Sequence, residues 1–218
     1  MAKKENIKWL IGVDEAGRGP VAGPVTVGLL AIKSKKLNFL KNKFFAGGVR
    51  DSKKLSAKKR EAILAELNIL QKEGWLKFVC AHIESKKIDS EGINQSIKNG
   101  IVQVLNKIKI SPKECEVRLD GLLKAPAVFT NQTTIIKGDE TEVVIALASV
   151  VAKVSRDQLM VKLALKYPDY GLERHKGYGT RLHLKALKRH GLSPIHRQTY
   201  LGRLVGLVPT GDLHKRGK

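Results

Sequence analysis

Residues 7–32, IKWLIGVDEAGRGPVAGPVTVGLLAI, contain two apolar runs on either side of a segment rich in glycine and proline. The runs, Ile7 to Val13 and Val21 to Ile32, are rich in aliphatic and β-branched residues, which is typical of buried strands. The segment between them, Ala16 to Pro20, favours a turn. We therefore predict two strands of a hairpin, with Asp14 at the end of the first strand.

The rest of the chain alternates helical and strand patterns. Apolar residues at spacings of three and four predict helices over residues 56–72 (with Ser56 as N-cap), 90–110, 142–167, 180–190 and 199–208. Strands are predicted over residues 75–83, over 116–119, which run directly into Asp120-Gly121, and over the β-branched run 133–137. This alternation predicts an α/β fold, with helices flanking a mixed sheet of about five strands.

The expected domain organisation is a single domain over residues 1–218. Within it we expect a catalytic core over about residues 7–170 and a C-terminal helical substrate-binding region over about residues 171–210. The basic tail, residues 211–218, is assigned no secondary structure.

The chain is strongly basic. Lys and Arg number 41 against 20 Asp and Glu, a formal net charge of +21. Such a charge favours a polyanionic partner, and nucleic acid is the first to consider, although a merely well-solvated basic surface remains the alternative. Aromatic residues make up only 5% of the chain, so recognition should rest on phosphate charge and helix shape rather than on base stacking.

Cysteine and histidine spacing gives no zinc or disulfide framework. Cys80 and Cys115 form no Cys-x-x-Cys pair, and the histidines form no His-x-x-x-His pair. His196 could assist a water molecule or a phosphate, or cap local backbone groups. The apolar run near the N-terminus is too short for a signal sequence or a membrane span. We therefore expect a cytoplasmic protein with no membrane association, monomeric by default.

Acidic residues fall at the ends of three predicted strands: the Asp14-Glu15 pair, Asp120 and Asp139. In open α/β sheets, side chains at strand ends converge on a ligand. Mg²⁺ and Mn²⁺ prefer oxygen ligands and would offset the repulsion between these carboxylates. Taken singly, each acid could instead cap a turn or a helix. Their joint placement in a basic chain favours a site for two ions roughly 4 Å apart, suited to phosphodiester hydrolysis.

Two glycine-rich segments are candidates for substrate contact. Residues 17–23, GRGPVAG, lack the Gly-Lys-Ser/Thr ending of a phosphate-binding loop, and Pro20 precedes a predicted strand rather than a helix. Their main chain could instead contact a ribose 2′-hydroxyl, which distinguishes RNA from DNA. Tyr178, in the segment His175 to Thr180, could stack on a sugar or base, or pack within the protein.

Six segments resemble, in order along the chain, the conserved blocks of the ribonuclease HII family. They are GVDEAGRGP (12–20), DSKKL (51–55), LDG (119–121), KGD (137–139), ASVVAKVSRD (148–157) and HKGYGT (175–180). This resemblance implies a ribonuclease H fold and an endonuclease that cuts RNA. The catalytic and metal-ligating residues it implies, for two Mg²⁺ or Mn²⁺ ions bound with substrate, are Asp14, Glu15, Asp120 and Asp139.

The same resemblance implies a set of substrate-binding residues: Gly17, Arg18, Gly19, Lys53, Lys153 and Tyr178. The Gly-Arg-Gly segment would recognise the 2′-hydroxyl at the cut site, the lysines would hold phosphates, and the tyrosine would stack on the sugar after an RNA-to-DNA junction. The implied substrates are RNA·DNA hybrids and duplex DNA with single embedded ribonucleotides. The implied products carry 5′-phosphate and 3′-hydroxyl ends.

Two other functions would share some of these features. A non-catalytic nucleic-acid-binding protein would show the same salt-sensitive affinity. Another two-metal nuclease or a type 3 ribonuclease H would share the acids, although the type 3 enzymes usually carry an added N-terminal domain. The sequence shows no clamp-binding motif, so a sliding-clamp partner is not predicted.

Overall fold

The computed structural model describes residues 7–45 and 54–202, which divide into two compact units. Among these residues, the first unit contains 7–16, 26–45, 54–82 and 97–155. The second contains 17–25, 83–96 and 156–202. The predicted helical end and basic tail, from residue 203 onward, lie outside the described residues, as does Lys53.

The strands are β1 (Trp9–Ala16), β2 (Val25–Lys33), β3 (Leu76–Ile83), β4 (Cys115–Asp120) and β5 (Gln132–Ile135). The helices are α1 (Leu37–Leu40), α2 (Ala57–Lys72), α3 (Ser85–Glu91), α4 (Ile93–Ile108), α5 (Gly138–Thr141), α6 (Val143–Lys166), α7 (Leu172–His175) and α8 (Arg181–His190). Short 3₁₀ turns occur at Ser34–Lys36, Pro112–Glu114, Pro168–Tyr170 and Gln198–Tyr200, and Lys41–Phe45 is π-helical. Within residues 7–45 and 54–202, none of the helices combines the length and the apolar composition that a membrane span requires.

The strands form one mixed sheet in the order β3-β2-β1-β4-β5. β1 pairs antiparallel with β2, from Trp9 opposite Lys33 to Ala16 opposite Thr26. β4 runs parallel to both β1 and β5. The sheet is flanked by helices, which confirms the predicted α/β class with five strands.

The core of the first unit depends on close packing of α6 against β1 and β2. A Cβ atom added to Gly12 on β1 would lie 2.2 Å from the main-chain carbon of Val144. One added to Gly28 on β2 would lie 2.4 Å from the carbonyl oxygen of Ala148. Because successive side chains on a strand alternate between faces, Asp14 lies on the same face of β1 as Gly12. The small residues of α6 and of the strands thus bring the helix close to Asp14.

The second unit has its own apolar core. Its buried residues are Ala22, Met160, Ala164, Tyr170, Leu172, Leu187 and Leu201. Thr180 begins α8, since its hydroxyl accepts a hydrogen bond from the His183 amide. This cap confirms the predicted helix over residues 180–190.

The predicted hairpin differs from the observed strands. β1 continues through Asp14 to Ala16, and β2 begins only at Val25. Pro24 has no N–H group to join a sheet ladder, and Ala22 pairs instead with His196 in an isolated antiparallel bridge. The strands are antiparallel neighbours as predicted, but residues 17–24 form a longer connection that belongs to the second unit.

Three further boundaries correct the sequence prediction. Asp139 does not end a strand: β5 stops at Ile135, and Lys137 adopts a left-handed conformation with φ +54° before α5 begins. The predicted helix over 90–110 is interrupted at Gly92, where φ is +81°. Residues 198–200, in place of the start of a helix at 199, form a 3₁₀ turn.

Candidate active site

Asp14 is a buried carboxylate with acidic neighbours. Its side chain is 4% exposed, and its Oδ1 accepts a hydrogen bond of 2.7 Å from the main-chain N–H of Glu15. Burial raises the pKa of Asp14 well above its ordinary value, and the charges of Glu15 and Asp120 raise it further. A side-chain hydrogen bond with Ser149 on α6 opposes this rise in pKa. The structure therefore brings three of the predicted acids within electrostatic reach of one another.

Asp120 is the last residue of β4, as predicted. The parallel register pairs Val13 with Leu119, so Asp14 and Asp120 are the next residues on neighbouring strands. Residues paired in this way face the same side of a sheet. The Oδ1 of Asp120 accepts a hydrogen bond of 2.7 Å from the main-chain N–H of Gly138.

Asp139 reaches this region from a short helix. It is the second residue of α5, it is 6% exposed, and α5 lies against β4. The hydrogen bond from Gly138 ties the residue before it to Asp120. Lys153 is half-buried on α6, one turn after Ser149 and so on the same face of the helix.

The predicted acids have side chains suited to a divalent metal ion, but in the described structure they are not arranged around a single point. Within residues 7–45 and 54–202, no three His, Cys, Asp or Glu side chains are arranged to hold a metal ion as they stand. The donors are nevertheless carboxylates, the ligands that Mg²⁺ and Mn²⁺ prefer. The negative charges of Glu15 and Asp120 repel that of Asp14, and a bound cation would offset this repulsion. The residues therefore fit a divalent ion.

The predicted substrate-binding residues of the second unit lie close together. Arg18 is exposed and its Nη2 donates a hydrogen bond of 2.9 Å to Oδ1 of Asn94. A Cβ atom added to Gly19 would lie 4.0 Å from Cε1 of Tyr178. Tyr178 is 45% exposed, which favours contact with a ligand over a packing role. The Gly-Arg-Gly segment and Tyr178 thus form one surface.

A chain of buried histidines supports the main chain of Tyr178. Nδ1 of His183 lies 2.9 Å from the Tyr178 carbonyl oxygen, and Nε2 of His183 lies 3.1 Å from Nε2 of His196. The main-chain N–H of Ser193 donates to Nδ1 of His196. These bonds assign a proton to Nε2 of His196 and to Nδ1 of His183, with both rings neutral. His196 therefore takes the backbone-capping role among the alternatives open from sequence.

Burial accounts for the neutrality of both rings. It lowers the pKa of His183 to about 4, and hydrogen bonding to the Tyr178 carbonyl only partly opposes this. Burial and the neighbouring His183 lower the pKa of His196 to about 4. Neither histidine carries charge near pH 7.

Sequence reasoning missed two arginines of the second unit. Arg156 and Arg197 are fully buried, with 0% exposure. Both donate hydrogen bonds to carbonyl oxygens in residues 17–24, more than 130 positions away along the chain. No spacing pattern links positions so distant. The one sequence feature that could have indicated them is the number of glycines in residues 17–24, because glycines leave space for large side chains such as arginine.

Comparisons with known proteins agree with one another. A family model described as Ribonuclease HII matches residues 11–202. The Ribonuclease HII of Caldicellulosiruptor bescii is 40% identical over 203 residues, which cover 93% of this chain and 91% of that protein. The crystal structure of ribonuclease H2 from Pyrococcus horikoshii OT3 has a TM-score of 0.71 at 27% identity and covers 91% of this chain and 97% of its own.

One further match concerns the fold alone. Bst-RNase HIII in complex with Mn²⁺ has a TM-score of 0.62 at 18% identity, covering 93% of this chain and 71% of its own.

Proposed function

The chain belongs to the ribonuclease HII family, and on this basis we propose that it hydrolyses RNA in RNA·DNA hybrids and also incises on the 5′ side of single ribonucleotides in duplex DNA. Its activity as a ribonuclease H hydrolase follows from the family, which acts on RNA/DNA substrates. The products would carry 5′-phosphate and 3′-hydroxyl ends.

The buried Asp14 carboxylate beside Glu15 and Asp120 carries the mechanistic part of this proposal. Members of this family depend on divalent metal ions. We propose Asp14, Glu15, Asp120 and Asp139 as the ligands of two such ions, Mg²⁺ or Mn²⁺. When bound, the ions would supply an activated water and stabilise the leaving oxygen of the phosphodiester.

The chain's own groups prepare this site. Hydrogen bonds from Ser149 and from the Glu15 N–H orient the Asp14 carboxylate, and the Gly138 N–H orients that of Asp120. Because the pKa of Asp14 is raised, ion binding would displace its proton, and affinity for the ion should increase with pH. Asp139 directly follows Gly138, whose N–H is bonded to Asp120, and this adjacency supports its place in the set.

We assign substrate recognition to the second unit and to two lysines. Gly17, Arg18 and Gly19 follow the Asp14-Glu15 pair in the chain after one intervening residue, and would recognise the ribose 2′-hydroxyl. Tyr178 would stack on the sugar after an RNA-to-DNA junction. Lys53 and Lys153 would hold phosphates.

The substitution Asp14→Asn tests the metal-ligand assignment. It keeps the size of the side chain but removes the anionic oxygen, so cleavage of an RNA·DNA hybrid should fall by a factor of about 10³ or more, since metal ligation supplies several kcal/mol of transition-state stabilisation. Binding of the hybrid should largely survive. The matched control is Asp169→Asn, which alters an exposed aspartate of the second unit and should leave cleavage unchanged.

A stability measurement separates loss of chemistry from loss of fold. Without divalent metal, Asp14→Asn should raise Tm, because it removes a buried carboxylate repelled by its neighbours; a gain of about 1 kcal/mol would shift Tm by roughly 2–4 °C. Substantial Mg²⁺-dependent cleavage in the folded variant would refute the assignment. A wild-type protein that binds hybrid without cutting it would instead indicate the non-catalytic alternative.

A further inference from the structure

Two buried arginines hold the Gly17–Pro24 segment by its carbonyl oxygens. Arg197 donates from Nη2 to Gly17 at 2.7 Å, from Nη1 to Arg18 at 2.9 Å and from Nε to Gly23 at 3.0 Å. Arg156 donates from Nε to Pro24 at 2.9 Å and from Nη2 to Ala22 at 3.2 Å, and its Nη1 donates to Lys176 at 3.0 Å. Each guanidinium thus donates from all three of its nitrogens to main-chain carbonyls, and Arg197 also has a side-chain hydrogen bond with Tyr200.

Main-chain hydrogen bonds place Arg197 next to the Gly17–Pro24 segment. The main-chain N–H of Arg197 donates to the carbonyl of Val21, and that of Gly23 donates to the carbonyl of Ile195. Ala22 and His196 form the antiparallel bridge between these two bonds. This pairing fixes the main chain at Arg197, and the three hydrogen bonds of its guanidinium hold the planar fork in place.

The glycines of the segment make room for the arginines. Gly17 has φ +93°, and a Cβ atom there would lie 2.1 Å from Nε of Arg156. Gly23 has φ +81°, and a Cβ atom there would lie 2.3 Å from Sδ of Met160. Positive φ together with this crowding restricts both positions to glycine.

Holding the carbonyls also orients the amides. In a trans peptide group the C=O and N–H bonds point in opposite directions. Because Arg197 draws the carbonyls of Gly17 and Arg18 towards the interior, the N–H groups of Arg18 and Gly19 point away from it. Arg18 and Gly19 are both exposed. Two successive N–H donors therefore face outward, with a buried positive charge behind them.

We propose that Arg197 is a positioning residue for recognition of the ribose 2′-hydroxyl, presenting the N–H groups of Arg18 and Gly19 together to that oxygen. This inference rests on the proposed function and adds a residue to it. Arg197 acts through the main chain of the segment and has no contact with substrate of its own. The hydrogen bonds of Arg156 go to later carbonyls of the segment, those of Ala22 and Pro24, and to the carbonyl of Lys176.

The test compares three Arg→Lys variants, which all preserve net charge. Arg197→Lys replaces the fork by a single ammonium that cannot reproduce its geometry. Arg156→Lys is the buried control, since it also replaces a fully buried guanidinium and should lower stability to a similar extent. Arg174→Lys, at an exposed arginine paired with Glu173, is the surface control.

The measured quantity is the ratio of Kd values for an all-DNA duplex and for the same duplex with one ribonucleotide, without divalent metal. Arg197→Lys should lower this preference about tenfold, the value of one well-formed hydrogen bond, while its affinity for all-DNA duplex stays unchanged. Arg156→Lys should lower Tm to a similar extent but keep more of the preference. Arg174→Lys should match the wild-type protein in both measurements.

The outcomes separate this inference from the proposed function. An unchanged preference in folded Arg197→Lys overturns the role of Arg197, and so does an equal loss in Arg156→Lys, which would indicate a purely structural effect. A wild-type protein that nicks the ribonucleotide duplex but binds both duplexes equally also overturns the inference, while the proposed function stands. A wild-type protein that fails to nick it overturns the proposed function itself.

Discussion

At the scale of single residues, Tyr178 combines an exposed ring with a firmly held main chain. Its carbonyl accepts a hydrogen bond from His183, and its ring lies beside Gly19. Because the main chain is already fixed, stacking of the ring on a sugar would require little further ordering of the backbone. This arrangement supports the stacking role proposed for it.

Tyr178→Ala should therefore weaken cleavage at an RNA-to-DNA junction more than cleavage within a continuous hybrid. Loss of an aromatic stacking contact costs about 1–3 kcal/mol, so kcat/KM on the junction substrate should fall by roughly 5- to 150-fold. Tyr178→Phe keeps the ring and serves as the matched control. Equal losses on the two substrates would assign Tyr178 a packing role instead.

Single acids were more predictable than single arginines. Asp14 follows an apolar run, and Asp120 follows a short predicted strand and precedes a glycine, and both features are visible in sequence. Arg197 bonds to carbonyls 174 to 180 positions away, and main-chain acceptors carry no sequence signature. Sequence could therefore indicate the acids but not the residues that shape the neighbouring segment.

At the scale of secondary-structure elements, the contact between α6 and β1 decides how closely Ser149 approaches Asp14. Gly12 allows this contact, because any larger residue would meet the backbone at Val144. Backbone atoms cannot move aside as the end of a flexible side chain can. The separation of α6 and β1 is therefore sensitive to a single methyl group.

Gly12→Ala should destabilise the protein by about 1–3 kcal/mol, the usual cost of overpacking a core. Thermal unfolding should show a loss of roughly 2–4 °C for each kcal/mol. Gly202→Ala provides the control, because a Cβ atom there would meet nothing within 4 Å. A wild-type Tm in Gly12→Ala would contradict the close packing described between α6 and β1.

The elements themselves were largely predictable, but some of their ends were not. Periodic apolar residues indicated α2, α4 and α6, and short apolar or β-branched stretches indicated most of the strands. The separation of α3 from α4 depends on positive φ at Gly92, and the start of β2 depends on the pairing of Ala22 with His196. The spacing of apolar residues predicts neither the backbone dihedral of a glycine nor the partner of a bridge between distant residues.

At the scale of the whole molecule, stability should depend on pH through the buried histidines. His183 and His196 have pKa values lowered to about 4 in the folded protein, against 6.5 for an ordinary histidine. Between these values the unfolded chain binds protons that the folded protein does not. The stabilisation is therefore complete above pH 6.5 and is lost as pH falls towards 4.

In urea unfolding, the contribution of the two histidines should appear as a lower free energy of unfolding at pH 4.5 than at pH 7. The loss should be about 2 kcal/mol for each histidine, less than additive because the two rings interact. His183→Gln should reduce the pH dependence, while His190→Gln, at an exposed position, should not. Because the raised pKa of Asp14 works in the opposite direction, the decisive comparison is between variants: a pH dependence in His183→Gln equal to that of the wild-type protein would contradict the neutral histidine chain.

The charge of the molecule is consistent with its family but does not identify its substrate. A net charge of +21 favours any polyanion, whereas we propose that the choice between RNA and DNA depends on a few main-chain groups at Gly17 to Gly19. Sequence predicted the fold class and the family correctly, and the structure adds how buried side chains hold that segment. The substrate choice remains the central claim.

The most direct test of that claim is incubation of the protein with Mg²⁺ or Mn²⁺ and a DNA duplex containing one ribonucleotide, followed by mapping of the cut. We predict a single nick on the 5′ side of the ribonucleotide, with a 3′-hydroxyl and a 5′-phosphate, and no nick in the matching all-DNA duplex. Cleavage of long RNA·DNA hybrids without any nick at the lone ribonucleotide would contradict the account.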